Sequence, residues 1–281
     1  MNRIERIDKS ITIHQLREPV PVQLQGQFHA EVRTLRTEIE RGERPPVDEP
    51  KMIERLGHLL TEPSPRHTVE RMMLYFRRLA CCKSIEALRF AESLCERLEG
   101  DLRYLALMTE LELRMQVYEE LTDTPQALIA SGLGGLGELV RLNGVAMQAR
   151  FEPWEAYQRE LMHSELSRLC EAEGGRIEEE LWGQEYYGFR LLLPYYAEVP
   201  ELIESFMTSC NEYGQFIHPD CRVTNLLLLS HEDIQQVVQL YRQRAEGKTT
   251  NIDVLLQDIM QGLNNPSDEA TDSASEEDKI D

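Results

Sequence analysis

Three side chains in the stretch FIHPDCR, His218, Asp220 and Cys221, set an imidazole, a carboxylate and a thiol within four positions. A thiol beside an imidazole can become a thiolate nucleophile, and the same pair supplies half of a tetrahedral zinc site. No second ligand pair at a matching spacing completes that site, and Pro219-Asp220 is ordinary turn chemistry, so a turn is the favoured reading. A second pattern lies in SGLGGLGELVRLNG, where Gly132, Gly134 and Gly137 satisfy G-x-G-x-x-G. A dinucleotide loop follows a strand and opens a helix whose amides face the pyrophosphate. Here a helix is expected before the glycines and a strand after them, and the G-K-[ST] ending of a phosphate loop is absent. The glycines therefore read as a joint, with contact to a ligand at that joint as the alternative.

The remaining candidates have simpler explanations. His231, Glu232 and Asp233 follow Ser230, where acids complement a helix start and Ser230 with Asp233 forms a variant capping box. Tyr186, Tyr187, Tyr195 and Tyr196 bracket one strand and read as core or interface residues. The six cysteines form no C-x-x-C pair, and those in helical segments read as buried, reduced thiols. No catalytic, metal or cofactor set is complete, and no cofactor is expected. Gly132, Gly134, Gly137, His218, Asp220 and Cys221 stand as the candidate ligand-site residues.

The elements that must position these residues follow from periodicity. Residues 1–25 read as an extended arm, with prolines at 19 and 21. Residues 26–130 read as helical. Phe28, Val32, Leu35 and Ile39 share one face, and amphipathic segments follow around Leu56, Phe76, Leu94 and the long run from Asp101. The segment EALRFAESLCERL resembles the close-packing small-residue spacing of tetratricopeptide-type helices. No second copy recurs at a fixed period, so a repeat and a bundle both stand. Thr124-Pro125 predicts the cap and first residue of one more short helix, DTPQALIA.

Residues 131–144 are the glycine-rich joint, with Asn143-Gly144 predicted to turn a hairpin; a single long strand is the alternative. Residues 145–263 alternate strand and helix periods as β-α-β-β-α-β, which predicts a ferredoxin-like core with helices on one sheet face, followed by C-terminal helices. RLLLPYY and RVTNLLLLS carry long apolar runs, which predicts that both sheet faces are covered, with Leu192 and Leu227 as candidate interface residues. Residues 264–281 carry seven acidic residues and one lysine with no apolar face, and read as a disordered tail.

The fold class is thus α+β, an all-helical N-terminal region joined to a ferredoxin-like domain. The formal charge of −20 opposes nucleic-acid and anionic-membrane binding on average, leaving room only for a local basic patch. No stretch is apolar and long enough to span a membrane, and a cytoplasmic location is expected. With no complete catalytic set, the sequence points to a non-catalytic interaction or regulatory protein that takes a protein partner or self-associates and binds no nucleic acid. The alternative is a small-molecule sensor or enzyme with its site at the junction of the two parts.

Overall fold

The computed structural model of the chain describes residues 12–61, 69–122 and 124–247. It is a mixed helix and sheet structure, as the α+β expectation requires. The expected C-terminal helix over 251–263 and the acidic tail lie outside the described residues, as does most of the first half of the arm.

The helical part comprises α1 (Val22–Glu40), α2 (Glu49–Thr61), α3 (Val69–Leu79), α4 (Ile85–Arg97) and α5 (Gly100–Thr122). Four of these bury one stripe each, including Phe28 and Val32 of α1, Leu56 of α2, Phe76 of α3 and Ala91 of α4. Helix α5 differs: from Leu105 to Leu113 every residue is buried, including Thr109, Glu110 and Glu112, so it is the central rod of the bundle. Burial would raise the pKa of the Glu112 carboxyl. The hydrogen bond from His29 Nδ1 (2.6 Å) and the charge of Arg36 (2.5 Å) outweigh it, and the carboxyl is held below its usual range.

Helix α1 begins at Val22, four residues before the predicted start at Gly26, because Pro21 tolerates the cap position and its carbonyl accepts the Gln25 N–H (3.1 Å). The short helix predicted for DTPQALIA is a strand instead. Residues Thr12–His14 (β1) and Gln126–Leu128 (β2) pair in parallel, and the Thr12 N–H donates to Pro125 O (3.0 Å). A partner more than a hundred residues away in the chain overrides the local capping signal.

The main sheet is built from β3 (Gly135–Leu136), β4 (Leu139–Met147), β5 (Arg176–Trp182), β6 (Tyr186–Pro194) and β7 (Arg222–Thr224), with α6 (Ala156–Ala172), α7 (Val199–Asn211) and α8 (His231–Ala245) packed on it. All pairings are antiparallel: β5 lies beside β6, β6 beside β4, and the other edge of β4 is shared by β3 at one end and β7 at the other. The predicted hairpin at Asn143-Gly144 does not form; β4 runs straight through it. Gly144 lies opposite Phe189, and a Cβ there would sit 2.1 Å from the Phe189 ring, so this glycine makes room for an aromatic ring and turns nothing. The predicted strand RVTNLLLLS shortens to the three residues of β7. Beyond it the Asn225 carbonyl accepts from Gly132 N–H (2.8 Å) and Ser131 Oγ (3.0 Å), so the backbone bonds to the glycine segment and leaves the sheet.

That glycine segment is closely packed. Gly132 lies so close to the 226 peptide that a Cβ would meet Leu226 O at 1.7 Å. Gly134 has φ +66 and a Cβ there would meet Leu16 O at 2.6 Å, while the Gly135 N–H donates to the same Leu16 carbonyl (2.8 Å). Gln15 Nε2 closes the arrangement by donating to Gly137 O (2.7 Å) and Leu139 O (2.8 Å). Arm, joint and the segment after β7 are thereby tied at one place.

Side chains of β6 alternate across the sheet. Tyr187, Phe189, Leu191 and Leu193 enter a large core with Met162 and Leu166 of α6 and Phe206 and Cys210 of α7. On the opposite face Tyr186 meets Val145, Met147 and α8, through Ile234, Val237, Val238 and Tyr241.

Candidate functional site

The side chains with most chemistry among them meet where α8 crosses the ends of β4 and β6. Ser230 caps this helix: its Oγ accepts the Asp233 N–H (3.2 Å) and the Asp233 carboxylate accepts the Ser230 N–H (2.8 Å), the reciprocal box expected from sequence. The apolar stripe Ile234, Val237, Val238 and Tyr241 then carries a phenol at its last turn onto the sheet.

Tyr241 is buried, and its hydroxyl accepts from Nε and Nη2 of Arg222, both at 3.3 Å. The imidazole of His218 stands edge-on to the Tyr241 ring, with centroids 5.4 Å apart, and Phe151 lies 6.1 Å from the same imidazole. Phe151 has φ +56. A bulky residue in the left-handed region is strained by about 1–3 kcal/mol, and such strain persists where the surroundings hold it and clusters at working sites. Here the surroundings are Arg242, whose guanidinium lies 5.9 Å over the Phe151 ring and donates to its carbonyl (3.5 Å), and the Phe151 N–H, which is bound to Gln148 O (3.1 Å). Arg242 also pairs with Glu185.

Burial pushes the His218 pKa below its ordinary value; Asp220 acts in the other direction and Arg244 adds to the lowering. The imidazole is therefore neutral near pH 7, with Nδ1 accepting the Asp220 N–H (3.1 Å) and Nε2 carrying the proton. Arg222, Arg242 and Arg244 stand at this end of the sheet together with Asp220, Glu185 and Glu246, so charges of both signs meet there.

Beside Arg242 opens a cleft of about 470 Å3 between α8 and the β5–β6 turn. Its walls are Gln235, Gln239 and Gln243 on the helix and Gln184 across from them, with Tyr186 and Val238 between. The turn is anchored by its main chain: Gln184 O accepts the Trp154 N–H (2.9 Å) and Glu185 O accepts the Gln148 N–H (2.8 Å).

Of the residues singled out from sequence, His218 and Asp220 belong to this cluster and Cys221 does not. Cys221 packs on the other face against the α6 and α7 core, where burial pushes its thiol up to about 12, so it stays protonated. The glycines lie at the joint, and their amides are already used: Gly132 N–H on Asn225 O and Gly134 N–H on Ser131 O (3.3 Å). No helix opens after them, so neither free amides nor a helix dipole face a phosphate there. Leu192 is fully buried and Leu227 nearly so. Among the described residues, no three metal-ligating side chains converge, and no helix is long and apolar enough to cross a membrane.

Sequence reasoning missed Phe151, Arg222, Tyr241 and Arg242. The alternation of Val145, Met147 and Phe151 and the helical stripe ending at Tyr241 were both visible, but which sheet face each meets depends on the pairing of β4 with β6 and β7.

No protein-family model and no curated protein matches the chain. Among solved structures it is similar to a transposase crystal structure from Deinococcus radiodurans, with TM-score 0.31 and 11% identity over 41% of this chain and 95% of the other. It is also similar to a REP-associated tyrosine transposase bound to a REP hairpin, with TM-score 0.28 and 11% identity over 52% of this chain and 96% of the other. These neighbours correct the expectation of a non-catalytic, protein-binding regulatory protein that takes no nucleic acid: both are transposases, and one holds a REP hairpin. At such scores the likeness by itself assigns no activity to this chain.

Proposed function

We propose that the chain binds a single strand of nucleic acid at the rim of the sheet face that α8 covers. The observation that carries this reading is Phe151, a ring held in left-handed backbone between an imidazole and a guanidinium, beside a group of three arginines. An aromatic ring offers a stacking surface to any base, worth about 1–3 kcal/mol per base, and arginines beside it supply the phosphate contacts. The average field of a chain with charge −20 opposes binding, so the interaction is local and falls steeply with salt. Supporting the reading is a sheet order of β7, β4, β6, β5 with α6 and α7 on one face, which we take as a ferredoxin-like core that leaves its other face for α8 and a ligand. We keep the two-part division at the joint of residues 131–144 and the cytoplasmic location, the latter supported by six free thiols.

Fluorescence anisotropy of a labelled single-stranded 12-mer against salt tests this. Two arginines on phosphates, Arg222 and Arg244, give a slope of log affinity on log salt of about −1.4, on the order of 0.7 per contact. Arg222→Ala should lower the affinity and flatten the slope. Binding that is absent at low salt, or indifferent to Arg222, overturns the proposal.

A second reading adds chemistry at the same place, favoured by the guanidinium on Tyr241 Oη beside a neutral imidazole. In it, Tyr241 Oη loses its proton to water, forms a bond to the phosphorus of a phosphodiester, and releases the strand's alkoxide, which takes up a proton from water as an alcohol. A protein–strand adduct on a denaturing gel, lost in Tyr241→Phe, is its signature. Absence of the adduct with binding intact leaves the binding reading alone.

A further inference from the structure

Resting on the strand-binding reading, we infer that the cleft beside α8 selects an adenine base. Its distinguishing feature is an excess of primary amides: four of its nine lining residues are glutamines, beside the charged Glu185, Arg242 and Glu246. Gln235, Gln239 and Gln243 recur every four residues and so lie on one side of the helix, and Gln184 faces them from the β5–β6 turn. The cleft and Phe151 share Arg242, which lines the one and lies over the ring of the other. A strand stacked on Phe151 therefore has its neighbouring base at this opening.

An amide presents one acceptor and one donor side by side. Adenine matches that pair twice, through N6 with N7 on one edge and N6 with N1 on the other. Cytosine and thymine offer a matching pair on one edge only. The second edge of guanine offers two acceptors, the pattern that an arginine suits. The arginine at this opening, Arg242, is paired with Glu185. With amides on two opposite walls, the cleft can meet both edges of one base at once, and adenine is the base that rewards this. Gln184 is held for the purpose by its carbonyl's bond to the Trp154 N–H, and α8 is held by its capping box and apolar stripe.

The test is anisotropy with dA12, dC12 and dT12 and with the ribose counterparts rA12 and rU12, using the full chain and the variants Gln239→Leu and Gln184→Leu. Both side chains are exposed, so the variants should melt as the unaltered protein does. We expect the adenine strand of at least one sugar type to bind about tenfold tighter than its pyrimidine counterparts, the discrimination of one good bidentate pair. Each substitution should reduce that preference without weakening the thymine or uracil strands. Equal binding of all strands, or an adenine preference that survives both substitutions, overturns this inference and leaves strand binding standing. Failure of every strand to bind overturns both.

Discussion

The two faces of the main sheet are built from alternate residues of the same strands and have opposite characters. On one, Tyr187, Phe189, Leu191 and Leu193 are buried under α6 and α7, with the Cys170 and Cys210 thiols pushed up to about 12 by the apolar surroundings. On the other, the α8 stripe covers the end around Tyr186, Val145 and Met147, Leu192 is buried farther along, and the edge beside α8 is populated by Phe151, His218, Arg222, Arg242 and the glutamine cleft. A face covered by two helices is a stabilising core. At the rim beside α8 the packing gives way to exposed polar groups, and there the strained residue and the arginines are found.

The largest expected effect that can break this comparison is on stability. Phe206→Ala, in the two-helix core, should cost about 3–5 kcal/mol in chemical denaturation. Tyr241→Phe should cost on the order of 1 kcal/mol, since it removes hydrogen bonds to an exposed guanidinium and leaves the ring in place. If the two variants lose similar stability, the faces do not differ as described.

Gly144→Ala ranks next. Its methyl must enter the space of the Phe189 ring, and we expect a loss of about 1–3 kcal/mol from overpacking, read from the same denaturation curves. A turn glycine of the kind first expected at Asn143-Gly144 would show a backbone effect without disturbing Phe189. A double change with Phe189→Leu should recover part of the loss only if the ring is the obstacle.

Smaller, and specific to the α8 face, is the response to pH. The folded-state pKa of His218 lies below that of the unfolded chain, so acid favours the unfolded state. Its contribution is fully present above about pH 6.5 and is lost as pH falls through the lowered value. Glu112, also lowered, contributes in the same direction but within the carboxylate range. His218→Gln should remove the upper part of the pH dependence and leave the lower part. An unchanged melting profile between pH 7 and 5 would show that His218 is not buried against Tyr241 and Phe151.

Local signals reached as far as local forces decide the structure. The helical stripes, the α8 capping box and the strand character of residues 145–147 and of β5 and β6 follow from short-range pattern, and they stand as read. The misreadings share one cause, a partner distant in sequence. Gln126–Leu128 is a strand because β1 lies beside it, Gly144 is a strand residue because Phe189 lies across from it, and residues 225–229 leave the sheet because Gly132 and Ser131 take the Asn225 carbonyl. For the site, the stretch FIHPDCR contained His218 and Asp220 but set Cys221 with them, whereas the thiol belongs to the opposite face. Adjacency along the chain grouped what the sheet separates. The glycine pattern misled in the same way: its glycines answer the close approach of Leu16 and Leu226, not a phosphate.

The most direct test of the central claim, that the rim of the α8 face holds a nucleic-acid strand, is the affinity of Phe151→Gly for dA12 measured beside its stability. Glycine adopts φ +56 without strain, so backbone relief offsets part of the packing lost with the ring, and the variant should remain folded. The account predicts that its affinity falls about tenfold, the contribution of one stacked base, while its denaturation midpoint stays close to that of the unaltered chain. An affinity that is unchanged in a folded Phe151→Gly protein would contradict it.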